Sequence, residues 1–161
     1  MQKLRTCLWF DGQAEEAAGF YTSLFPDSKI LDVSRAGEAG PGARGTAIMV
    51  RFQLYGQEFL ALNGNARFHF SEAVSLAVDC ADQAEVDRLW ARLTEGGEES
   101  MCGWLKDRYG LSWQIVPRAL PELLQHPDPA VAARVMNAML QMRRIDVARL
   151  REAAAEPAVA R

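Results

Sequence analysis

Apolar positions along this chain recur at two spacings, and the spacing changes at glycines, prolines and acidic turns. Leu4 to Phe10 is a short, almost unbroken apolar stretch, the pattern of a buried strand. Asp11-Gly12 turns it into a segment from about Gln13 to Phe25, where Ala14, Ala17, Ala18, Tyr21, Leu24 and Phe25 repeat at helical spacing. Glu15 and Glu16 complement the dipole of its first turn, and Pro26 stops it. Lys29 to Ser34, Thr46 to Leu54 and Gln57 to Asn63 read as strands. Between them lie a loop from Gly37 to Gly45 with four glycines, expected to be mobile, and the tight turn Tyr55-Gly56. The predicted order is strand, helix, three strands.

That order then repeats. Ala73 to Cys80 is a strand, and Asp82 with Glu85 three residues later has the spacing of a helix-capping box. Val86, Leu89, Trp90 and Leu93 form an apolar stripe that Gly96-Gly97 ends. Three strands follow, at Glu98 to Cys102, Trp104 to Arg108 and Leu111 to Val116. Gln13-Ala14-Glu15 recurs as Gln83-Ala84-Glu85, with Phe20 matched to Trp90, seventy residues on. The expectation is an α+β fold of two tandem βαβββ modules, about 4–63 and 73–117, within a domain spanning 1–117. Beyond Pro117, three prolines cut the chain into short pieces before a helix from Ala130 to Met142. Its stripe of Val131, Val135, Met139 and Met142 predicts a helical tail, 118–161, docked on the domain or on a dimer partner.

Composition narrows the partners. The chain has 161 residues, 49% apolar and 24% charged, enough for a real core. A net charge of −3 with scattered Lys and Arg argues against a nucleic-acid surface. No apolar run approaches the roughly 20 residues of a membrane span. The first residues lack the apolar region and cleavage site of a secretory signal. Cys7, Cys80 and Cys102 are an odd set without CxxC spacing, which suggests neither a disulfide framework nor a zinc ribbon. The expected setting is cytoplasmic.

Several blocks are specific enough to compare with known families. Cys7-Leu8-Trp9-Phe10-Asp11-Gly12-Gln13-Ala14-Glu15-Glu16-Ala17, then Phe20-Tyr21 and Phe25-Pro26, resemble the glyoxalase, or vicinal-oxygen-chelate, superfamily. More narrowly they resemble its PhnB-like branch, often labelled demethylubiquinone methyltransferase-like. Leu62-Asn63-Gly64, Gly96-Gly97-Glu98-Glu99-Ser100, Cys102 to Asp107 and Tyr109 to Gln114 carry the same likeness, as does the loop Gly37 to Gly42. The resemblance implies curled mixed sheets around a shared cavity, commonly in a homodimer. It also implies a divalent metal held by His, Glu or Gln from strands of both modules.

Strand alternation assigns faces to those positions. Cys7 and Trp9 are expected to face the helix, which turns Thr6, Leu8 and Phe10 toward the cavity. Helix-facing Leu76, Val78 and Cys80 leave Ser75 inward, and core Trp113 and Ile115 leave Gln114 inward. The positions that the resemblance marks as ligands are then Thr6, Asn63, Ser75 and Gln114. None is a His or a carboxylate, and hydroxyls and neutral amides bind transition metals weakly. His69 and His126 fall off the predicted cavity strands. No metal and no cofactor is expected, since the glycine-rich loop joins two strands and opens no helix that could cradle a nucleotide. Cys102 lacks a sequence-evident His partner for nucleophilic chemistry. Lys106-Asp107-Arg108 reads as a solvated hairpin face or a cavity rim, and Trp104 as a ring lining the pocket or simply part of the core. The leading expectation is a binder of a small organic molecule, with Thr6, Leu8, Asn63, Ser75, Trp104 and Gln114 as its candidate residues. The alternatives are a glyoxalase-type lyase, isomerase or dioxygenase with an atypical metal site, or a methyltransferase as the label states.

Overall fold

The computed structural model describes residues 3–38 and 43–156, and the chain divides into two units, Met1–Phe70 and Ser71–Arg161. The first unit runs β1 (Thr6–Phe10), α1 (Ala14–Leu24), β2 (Lys29–Arg35), β3 (Ala47–Leu54) and β4 (Gln57–Asn63). Its sheet has the order β1-β4-β3-β2, with β1 parallel to β4 and the other pairs antiparallel. Residues 39–42 of the glycine-rich loop lie outside the described residues. The β3–β4 hairpin turns through Tyr55 and Gly56 at φ 47° and 78°, two left-handed residues whose twist matches that of the flanking strands.

Small side chains let α1 lie close to its sheet. Ala14, Ala17 and Ala18 are fully buried with Tyr21, whose ring meets Phe52 at 6.4 Å, and Phe52 stacks on Phe59. Gln13 gives α1 no side-chain cap. Asn63, at the end of β4, supplies it instead, accepting from Ala14 N–H at 2.8 Å and donating to Ala47 C=O at 2.9 Å.

The second unit repeats the plan with β5 (Ser75–Cys80), α2 (Gln83–Thr94), β6 (Glu98–Glu99), β7 (Trp104–Lys106) and β8 (Ser112–Pro117), in the order β5-β8-β7-β6. Asp82 accepts from Glu85 N–H, while the Glu85 carboxylate reaches back past the cap to Ala81 N–H. The architecture is α+β, two four-stranded mixed sheets, neither closed into a barrel. The predicted strand Glu98 to Cys102 shortens to two residues because Met101 to Gly103 form a tight turn, Cys102 at φ 60° and Gly103 at 83°. Gly97 passes so close to Lys106 that a Cβ there would sit 2.2 Å from the carbonyl oxygen.

The tail forms α3 (Ala119–Leu124), α4 (Pro129–Met139) and α5 (Val147–Ala155), so the helix expected at Ala130–Met142 starts one residue earlier and ends three earlier. These helices close their own cluster of Leu120, Val131, Val135, Met142, Ile145 and Leu150. Gln83 stitches it to α2, donating to Ile145 C=O and accepting from Val147 N–H. The 102–103 turn adds N–H donors to Met142 and Arg143 carbonyls, both at 2.7 Å.

Candidate functional site

The first strand corrects the expected phase. β1 pairs Thr6 with Phe59, Leu8 with Ala61 and Phe10 with Asn63, and in a parallel ladder such partners share a face. Phe59 lies on the face that meets α1 through Phe52 and Tyr21. Leu8, 3% exposed, is therefore core, and Thr6 shares its face. Cys7 and Trp9 lie on the opposite side, the reverse of expectation. Both phases of β1 are apolar, so alternation could not choose between them. The Trp9 indole N–H needs an acceptor and finds Asn65 C=O at 2.9 Å. Its ring also covers Gly64, where a Cβ would stand 1.9 Å away.

In the second unit the expected phase holds. Trp113 and Ile115 are buried, paired with Leu76 and Val78. The face turned away from α2 carries Ser75, Ser112, Gln114, Trp104 and Lys106. Gln114 donates to Ser75 Oγ at 2.8 Å, joining two candidates thirty-nine positions apart. Trp104 is the register partner of Gln114, and so lies beside that pair.

Along this face opens a cavity of about 410 Å³, lined by Trp104, Lys106 and Ser112 with Glu72, Glu98 and Glu99. That volume suits a small organic molecule. Lys106 and Glu72 form an ion pair; the shared hydrogen bond holds the Glu72 carboxyl below the usual range and raises the Lys106 ammonium. Ser112 is 1% exposed, and its hydroxyl has no hydrogen-bond partner among the described residues. Sequence reasoning missed Ser112, although its signal was present two residues before Gln114, on the same side of the same strand.

Asp107 corrects the reading of Lys106-Asp107-Arg108 as a solvated face. It is 3% exposed and accepts from Tyr109 N–H, Leu111 N–H and the Trp113 indole N–H. Once the chain turns at Tyr109-Gly110, these three donors converge on one carboxylate. Its work is to shape the β7–β8 turn.

The implied metal does not fit the donors. The described residues contain no group of three His, Cys, Asp or Glu side chains placed to hold an ion. Asn63 has spent its amide on α1 and β3, and Ser75 and Gln114 are neutral donors bonded to each other. Cys80 is no better, because burial, aided by Glu85, pushes its thiol up to about 12. A nucleotide cofactor fits no more closely, since the glycine-rich loop joins β2 to β3 and each sheet has one parallel pair. A cavity of about 420 Å³ in the first unit, lined by Glu15, Arg35 and Asn63 among others, has its polar groups answered. Arg35 makes a two-pronged bond to Glu15 at 2.6 and 3.0 Å.

Comparison with known proteins bears on this site. Residues 2–116 match the family described as 3-demethylubiquinone-9 3-methyltransferase. The chain is 43% identical to the PhnB protein of Bacillus cereus, named as a candidate 3-demethylubiquinone-9 3-methyltransferase, over 72% of this chain and 99% of that one, with a TM-score of 0.68. Protein PA1353 of Pseudomonas aeruginosa, 19% identical over 73% of this chain and 98% of its own, shares the fold at a TM-score of 0.60. So does FosX, a fosfomycin resistance protein of Listeria monocytogenes, 14% identical over 78% and 98% at a TM-score of 0.56. No curated protein matches the chain.

Proposed function

The chain belongs to the PhnB-like family, labelled 3-demethylubiquinone-9 3-methyltransferase, of the vicinal-oxygen-chelate superfamily, and on that premise we propose that it binds a small organic molecule without a metal. The observation that carries the reading is the Ser75–Gln114 pair beside Trp104, next to a cavity of about 410 Å³ that Trp104 and Ser112 help to line. Neutral hydrogen-bonding groups next to one aromatic ring are the composition of an organic-ligand pocket. A metal-dependent lyase or dioxygenase needs converging anionic or imidazole donors, and no three His, Cys, Asp or Glu side chains among the described residues are placed to hold an ion. A methyltransferase needs a cradle for its methyl donor, and the family label is the sole support for one.

The test is thermal melting of the untagged chain with Mn, Fe, Co, Ni and Zn in turn, and with S-adenosylmethionine. Binding of any of them to the native state would raise Tm by mass action. The reading expects no rise with any of the six. Stoichiometric metal with a matching rise overturns it in favour of the lyase or dioxygenase, and a rise with S-adenosylmethionine overturns it in favour of the transferase. The homodimer belongs to the same proposal, and light scattering reads it as twice the 17.9 kDa chain mass.

A further inference from the structure

We propose that Asn63-Gly64 is a self-modification site held shut by the fold. When the end of β4 opens, the pair converts to aspartate or isoaspartate, and the first unit cannot rebuild its original bonds.

Packing in the first unit demands both residues. The Asn63 side chain accepts from Ala14 N–H at 2.8 Å and donates to Ala47 C=O at 2.9 Å. An ionised aspartate could do the first but not the second. Gly64 runs under the Trp9 ring, which occupies the place of a Cβ, so a side chain there would displace the ring. The two demands fall on neighbouring positions and create the one Asn-Gly of the chain. The other asparagines, Asn65 and Asn137, precede alanines. Asparagine is thermolabile, and a following glycine, without a side chain, leaves its backbone nitrogen open to attack the asparagine amide.

The chemistry is intramolecular, with water as its one co-reactant. Gly64 N loses its proton to solvent and bonds to Asn63 Cγ. The Cγ–Nδ2 bond breaks, and Nδ2 leaves as ammonia with a proton from water. Water then opens the five-membered imide at either carbonyl, giving aspartate or isoaspartate.

In the native structure each reacting group is occupied elsewhere. Gly64 N–H donates to Phe10 C=O at 2.8 Å, both polar atoms of the Asn63 amide are bonded, and Asn63 pairs with Phe10 in the β1–β4 ladder. The Trp9 indole N–H, bonded to Asn65 C=O at 2.9 Å, pins the segment that follows. The reaction therefore waits for local opening. Gly64 and Asn65 are exposed just past a strand end, where opening costs less than global unfolding. Reclosure is then impaired, because aspartate lacks the donor for Ala47 and isoaspartate adds a methylene to the backbone leading to the Trp9 contacts. Chemical change of an opened state makes the loss irreversible.

The experiment holds the full chain near pH 8, native and in urea above its unfolding transition, and follows Asn63 by peptide mapping with isoaspartate detection. In the unfolded chain Asn63 should convert first of the three asparagines. In the native chain it should convert about a hundred-fold more slowly, by the factor that protects the Gly64 amide from hydrogen exchange. Trp9→Phe removes the indole donor, leaves Asn63-Gly64 intact, and should speed native conversion about five-fold. Converted protein should melt below the unconverted chain. Conversion as fast in the native as in the unfolded chain overturns the proposal, as does failure of Asn63 to outpace Asn65 in urea, or an unchanged Tm after conversion. An unchanged rate in folded Trp9→Phe also overturns it. Should that variant not fold, the comparison with Gly64 exchange decides on the natural chain, and a mismatch of the two factors overturns the lock.

Discussion

Asn63 and Ser112 show how much a single polar group contributes when its surroundings are fixed. Asn63 caps α1 from another element and answers Ala47 C=O as well. Asn63→Ala removes a cap worth about 1 kcal/mol and orphans a part-buried carbonyl, so urea unfolding should show a loss of about 2 kcal/mol. Asn63→Asp keeps the acceptor for Ala14 but loses the donor to Ala47, and should fall between the two. Ser112→Ala works the other way, deleting a buried hydroxyl without a partner. Its unfolding free energy should rise by up to about 1 kcal/mol. Asp107 belongs to packing. Three donors converge on it, and Asp107→Ala should cost more than about 3 kcal/mol by urea unfolding.

At the scale of elements, the phase of β1 has a direct chemical readout. Cys7 is exposed and Cys80 buried, with burial also raising the Cys7 thiol somewhat. Alkylation near pH 8, followed by peptide mapping, should modify Cys7 in the native protein and spare Cys80, whose thiolate is suppressed to about 12. Protection of Cys7 would restore the opposite phase, with that side chain under α1. At the α2–α5 junction the Gln83 amide bonds both Ile145 and Val147, beside an ion pair between Asp87 of α2 and Arg144. Gln83→Ala should speed amide exchange in residues 147–155 about ten-fold, the local equivalent of losing one to two hydrogen bonds. Exchange in α2 itself should stay unchanged.

For the molecule as a whole, the pH response follows from its exposed ion pairs. Glu15 is held below the usual range first by its bond from Arg35, and Glu72 first by its bond from Lys106. A carboxylate with a depressed folded-state pKa stabilises the fold above its unfolded value and loses that contribution as pH falls through the folded one. Thermal melting should therefore be flat between pH 6 and 8 as far as these pairs are concerned and decline below about pH 4.3. The decline should be shallow, because surface pairs are solvent-screened. No helix among the described residues is long and apolar enough to cross a membrane, in keeping with the absence of a long apolar run.

The chain order alone specified two βαβββ modules, because helical and strand spacings alternate cleanly and glycine, proline and capping residues mark most of the joins. It also specified which face of β5 and β8 is polar, since Ser75, Ser112 and Gln114 break an otherwise apolar pattern there. β1 offered no such contrast. Leu8 and Phe10 are apolar in one phase, Cys7 and Trp9 in the other, and pairing with β4 chose between them. The work of Asn63 and Asp107 lay equally beyond one-dimensional reading, because a short polar side chain says nothing of which distant donor it will meet. Ala14 is forty-nine positions from Asn63 and Ser75 thirty-nine from Gln114. Local pattern fixes periodicity over a few residues, whereas partners at such separations, and a hydroxyl buried without one, exist only once the sheets have packed.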